Sequence, residues 1–79
     1  DLKQYIGKYE LKEQNLILEV QFKRNQLVIT NTPIGNLILL PMTNIKFINL
    51  ESGTVIEFLV NKKVSGFMVN NSIKLEKIE

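Results

Sequence analysis

The chain contains no cysteine and no histidine. Without cysteine there is no disulfide, no thiolate metal site and no thiol nucleophile, while the redox compartment stays open. Without histidine the commonest general base, proton shuttle and metal ligand is missing. Glycine is scarce and scattered, at Gly7, Gly35, Gly53 and Gly66, so no phosphate-cradling loop is present. No apolar run approaches the ~20 residues of a membrane-spanning helix. Neither sign of charge dominates: ten basic and eight acidic residues leave a net charge of +2, too balanced to point to nucleic acid or an anionic membrane.

What is there is apolar and β-forming. Hydrophobic residues make up 44% of the chain, and isoleucine, leucine and valine dominate them, which suits strands. Its 79 residues form a single domain, 1–79. A chain of this size buries only ~60% of its unfolded surface, so its core is marginal. It opens at Asp1 inside an ordered-looking motif, with no initiator methionine and no signal peptide. This leads us to expect a processed protein or, in preference, an excised domain of a larger one.

Period-two alternation runs through the sequence, and helical periodicity is weak. Asp1 to Gln4 could form one helical turn, and Tyr5-Ile6-Gly7-Lys8-Tyr9-Glu10 reads as the entry strand. In that strand Tyr5, Gly7 and Tyr9 share a face. The clearest alternation places Leu16, Leu18, Val20 and Phe22 inward, with Glu19, Gln21 and Lys23 outward. Asn25 suits a turn at positive φ. Leu27 and Ile29 follow inward. Residues 31 to 36, with Pro33 and Gly35, read as a loop. Leu37 to Leu40 is a strand ending at Pro41, and Asn44 to Ile48 is a short one. Asn49 to Gly53 is a turn cluster. Thr54 to Val69 reads as a hairpin turning at Asn61-Lys62-Lys63, with Ile56, Phe58 and Val60 on one face. Gly66 interrupts the return strand and predicts a β-bulge that switches the register of Phe67 and Val69. Asn70-Asn71 predicts a type I′ turn before the last strand, Ser72 to Ile78.

About eight short strands with hairpin-length links and no crossover helix predict an all-β antiparallel meander, curled into a small barrel or a strongly curved sheet. Several strands are apolar on both faces. Ile17, Val28, Ile38, Leu40, Val55, Leu59 and Met68 lie opposite the expected core residues. A sheet wet on one side should alternate cleanly. Long neighbouring side chains could cover these positions, or they could form an interface with another domain or another copy of the chain.

No catalytic residue, metal ligand set or cofactor site can be assigned. Ser52, Ser65 and Ser72 begin no Ser-x-x-Lys pattern. Glu10 and Glu13 flank a turn that reads as solvated, too sparse in oxygens for calcium. Tyr5 and Tyr9 lie near Lys3, Lys8 and Lys12, but buried rings with hydroxyls at the rim are a plainer reading than stacking on bases. An eight-stranded barrel is just wide enough for side chains to fill, so a filled interior is expected. An apolar pocket at one mouth is the alternative.

These residues also resemble a known family. Leu2-x-x-Tyr5-Ile6-Gly7-Lys8-Tyr9 resembles the opening "L-x-x-Y-x-G-x-Y" of a small lipocalin-like β-domain. That domain of unknown function lies C-terminal to bacterial serine hydrolases related to β-lactamases and penicillin-binding proteins. Leu18-Glu19-Val20, followed by Asn25-Gln26-Leu27, resembles its second hairpin. Leu39-Leu40-Pro41-Met42, then Phe47, resembles its "L-x-P…F" segment. Ile56-Glu57-Phe58, then Lys63-Val64-Ser65-Gly66-Phe67, resembles its "I-x-F…G-K-V-x-G-L" hairpin, and Lys77-Ile78 fits its close. Lys62 departs from the pattern, standing where the family often has glycine. The resemblance implies a structural role for Tyr5, Gly7, Tyr9, Pro41, Phe47, Phe58, Val64 and Gly66. It also implies a lipocalin-like fold, a bacterial envelope, periplasmic or secreted setting, and an accessory role beside a catalytic domain in cis. The hydrolase motifs themselves are not in this chain, so no activity carries over. Binding of a small apolar ligand is the other function that such a barrel suggests.

Overall fold

The computed structural model describes residues 1–79. Eight strands pair antiparallel in chain order and the last closes on the first, so the meander is a closed barrel. They are β1 (Gly7–Leu11), β2 (Leu16–Lys23), β3 (Gln26–Thr32), β4 (Gly35–Pro41), β5 (Lys46–Ile48), β6 (Val55–Asn61), β7 (Lys63–Val69) and β8 (Ile73–Lys77). Closure removes the exposed edges that an open sheet would leave. It is made by Tyr9 opposite Lys77 and Glu10 opposite Glu76, and is extended by the Ile78 N–H donating to the Lys8 carbonyl at 2.8 Å.

Turn chemistry sets the hairpins. Arg24 and Asn25 both have positive φ, the I′ signature, between Lys23 and its partner Gln26. Asn70 and Asn71 repeat the pattern, and the Ser72 N–H closes the turn onto the Val69 carbonyl at 2.9 Å. Asn31, expected in a loop, instead lies within β3 at φ 68, as the extra residue of a bulge opposite β4. The strands therefore continue to a tight Thr32–Gly35 turn.

The bulge predicted at Gly66 is present one residue earlier. Leu59 pairs with Gly66 and Val60 with Val64, so Ser65 is the extra residue. Its hydroxyl donates to the Leu59 carbonyl at 3.3 Å. The shift lets Val64, Phe67 and Val69 all pack towards the core despite their uneven spacing. Gly66 itself lies against β8, where a Cβ would stand 2.2 Å from the Leu75 carbonyl oxygen.

The entry segment differs from its expected form. Tyr5 is the last residue of a 3-10 helix, Leu2–Tyr5, and β1 starts only at Gly7. Asp1 caps that helix, its carboxylate accepting from the Lys3 N–H at 3.0 Å. Tyr5 and Tyr9 thus meet as parts of a plug and a wall, not as same-face neighbours on one strand. The Tyr9 hydroxyl donates to the Tyr5 carbonyl at 2.8 Å, and the Tyr5 hydroxyl to the Asn44 carbonyl at 2.7 Å. Gly7 sits where a Cβ would crowd the Glu79 carbonyl oxygen at 2.7 Å, so the C-terminal segment passes close against it.

Candidate functional site

The barrel interior is divided by residue type. One half is aromatic. Tyr5 stacks on Phe58 with ring centroids 4.0 Å apart and planes 17° apart. Phe47 meets Tyr5 edge-on at 5.9 Å, and Tyr9 and Phe67 approach at 4.8 Å. Phe58 touches all four of the other rings. Such pairs contribute about 0.5–1.5 kcal/mol each beyond area burial. The 3-10 helix closes this end, with Val60 at the rim beside Leu2 and Tyr5, still in phase with Ile56 and Phe58. Burial raises the pKa of the Tyr9 phenol, and the neighbouring Tyr5 adds to the effect; burial also raises that of Tyr5.

The other half is aliphatic and not filled. A cavity of about 260 Å³ opens at the mouth between the β1–β2, β3–β4, β5–β6 and β7–β8 connections. Eleven of its fifteen lining residues are hydrophobic. Leu18, Ile29, Ile56 and Leu75 form its floor, and Pro33 and Ile34 overhang it. Ile34 is 69% exposed. The expected filled interior therefore holds only for the aromatic half. Five rings can pack the barrel solid; the branched aliphatic side chains at the mouth are too short to meet across it. Leu16, read as inward from sequence, lies at this mouth; Leu11, Gln14, Thr32, Ile34 and Ile73 join it and are not singled out by the sequence. Their common signal is position: each lies in or beside a connection at the same end.

The outer surface carries an apolar stripe. Val28 pairs with Ile38, Leu40 with Ile48, and Ile48 with Val55, so these side chains run across β3 to β6. Met68 continues the stripe beside Val55. Leu50 stands over Ile38 and Leu40 and is 69% exposed. Five of the seven candidate interface residues are thus brought together: Val28, Ile38, Leu40, Val55 and Met68. Val28 is buried by its own neighbours, whereas Ile38 is 47% exposed. Ile17 lies apart, opposite Glu10, and Leu59 lies opposite Gly66. Ile48 completes the stripe, and its phase opposite buried Phe47 could have revealed it.

Tyr5, Tyr9, Phe47, Phe58 and Gly66 are buried, Val64 packs partly against them, and Pro41 ends β4 opposite Phe47. No group of three or more acidic side chains comes together to hold a metal. Lys8 pairs with Glu79 at 3.6 Å and Lys12 with Glu76 at 3.7 Å, both exposed and so worth little. No helix is long and apolar enough to cross a membrane. Comparison with family models, with curated proteins and with solved structures finds no match.

Proposed function

We propose that the chain is a non-catalytic accessory β-barrel that packs against a partner domain through its outer apolar stripe. The stripe across β3 to β6, flanked by exposed Leu50, is the observation that carries this reading. A barrel that worked alone would gain nothing from isoleucine and leucine on its wet face. The motif resemblance suggests the partner: a bacterial serine hydrolase domain related to β-lactamases, in an envelope, periplasmic or secreted setting. The test is hydrophobic-dye fluorescence and sedimentation of the chain beside an Ile38→Ser/Leu50→Ser double variant. Both sites are exposed, so the variant should stay folded. Dye binding or self-association of the unaltered chain, lost in the variant, supports the reading. A strictly monomeric chain that binds no dye, or a signal unchanged in the variant, overturns it.

A second reading is favoured by the open mouth: the barrel binds a small apolar ligand. A concave, mostly apolar cavity with a few polar groups at its rim is the usual form of such a site.

A further inference from the structure

The mouth end and the closed end differ sharply in charge. The closed end carries Lys3 on the 3-10 helix, Lys23 and Arg24 at the β2–β3 turn, and Lys62 and Lys63 at the β6–β7 turn. The connections around the mouth carry only Lys12, Glu13 and Glu51. Lys12 leans towards Glu76 on β8 and is not among the residues that line the cavity. The polar side chains lining the cavity are Gln14, Thr32 and Thr54, all uncharged. A carboxylate entering here would lose water and meet no cation, an expensive exchange. The lysines of the far end cannot compensate, since screening at physiological salt acts within about 8 Å.

Neutral hydrogen-bonding groups are well served. Gln14 presents an exposed amide with two donors and an acceptor. The Thr32 hydroxyl donates to the Gly35 carbonyl, and that of Thr54 is shared with Ser52, so both keep accepting capacity towards the mouth. Below this rim the wall is leucine, isoleucine and valine, with Phe67 the one ring. A volume of about 260 Å³ exceeds the ~150 Å³ that holds benzene in an engineered cavity and falls short of most drug-sized pockets.

Resting on the second reading above, we infer that the mouth takes a neutral aliphatic chain of roughly ten heavy atoms, its polar end a hydroxyl, ester or amide. The uncharged rim selects against fatty carboxylates.

The test uses 1-octanol, methyl octanoate and sodium octanoate as probes at pH 7, read by amide and methyl chemical shifts of the isotope-labelled chain. Octanol and the ester should shift the resonances of Leu18, Ile56, Val69 and Leu75, and octanoate should bind at least about tenfold more weakly. Gln14→Lys, at an exposed position, should restore octanoate binding and close the gap between octanoate and octanol. Val69→Phe should fill the cavity and abolish binding of all three. If no probe shifts the mouth residues, the ligand-binding reading itself fails. If octanoate binds as tightly as octanol, or Gln14→Lys does not help it, the mouth binds ligands but the neutral class is wrong. Wild-type shift maps decide both points even should Val69→Phe fail to fold.

Discussion

Lys62 and Gly66 occupy one hairpin and make opposite demands on the backbone. Lys62 turns the chain at φ 67, a conformation that costs an L-residue ~1–2 kcal/mol. Glycine would remove that strain, less the ~0.4–1 kcal/mol by which it loosens the unfolded chain. Lys62→Gly should therefore stabilise the barrel by about 0.5 kcal/mol in urea unfolding. Gly66 has no such freedom to exchange. Its Cβ position lies 2.2 Å from a backbone oxygen of β8, which no rotamer can relieve. Gly66→Ala should force β7 and β8 apart and cost about 3 kcal/mol or more, at the upper end of overpacking effects. An alanine variant that unfolds at the wild-type urea concentration would show that the two strands are not in the close register described.

At the scale of elements, strand phase was readable because its period is local. Leu18, Val20, Leu27 and Ile29 alternate along the chain and all four are buried where the alternation puts them. Tyr5 was misplaced because a residue four before Tyr9 has the same parity whether it continues the strand or ends a 3-10 helix. The mouth was hidden for a different reason. Whether an inward position fills the barrel depends on which side chain faces it across the closed sheet, and that pairing is not local. Asn49 shows the same limit inside a loop. It reads as one polar residue in a turn cluster, yet it is buried, and it organises the β5–β6 connection. Its amide donates to the Ile38 carbonyl at 2.9 Å, while its oxygen accepts from the Ser52 N–H at 2.9 Å and the Ser52 hydroxyl at 2.8 Å. Asn49→Ala leaves the Ile38 carbonyl and the Ser52 amide without these partners. It should cost about 2–3 kcal/mol. Asn49→Asp keeps the acceptors but turns an oxygen towards the Ile38 carbonyl, so at pH 7 it should be no better than alanine in thermal unfolding. An aspartate variant as stable as wild type would show that the bond to β4 contributes little.

For the whole molecule, closure and titration are coupled through Tyr9. The residue pairs β1 with β8 and is fully buried. Burial raises its pKa above the ordinary tyrosine value, with the Tyr5 phenol adding a smaller push the same way. In the unfolded chain the phenol ionises near pH ~10, but in the barrel it stays protonated well above that. The unfolded state therefore binds fewer protons than the native one once the pH passes ~10, and stability must fall as pH rises. Below the unfolded pKa both states are protonated, and this contribution is fully present and constant. The barrel should accordingly show phenolate absorbance only as it unfolds, in one cooperative alkaline transition reported alike by absorbance and circular dichroism. Tyr9→Phe removes the titrating group along with its hydrogen bond to the Tyr5 carbonyl. It should lose about 1 kcal/mol at pH 7 yet lose stability less steeply above pH ~10. Stepwise phenolate formation near pH 10 in a barrel whose circular dichroism is unchanged would mean that Tyr5 and Tyr9 are open to solvent, and the plugged, aromatic half of the barrel would have to be redrawn.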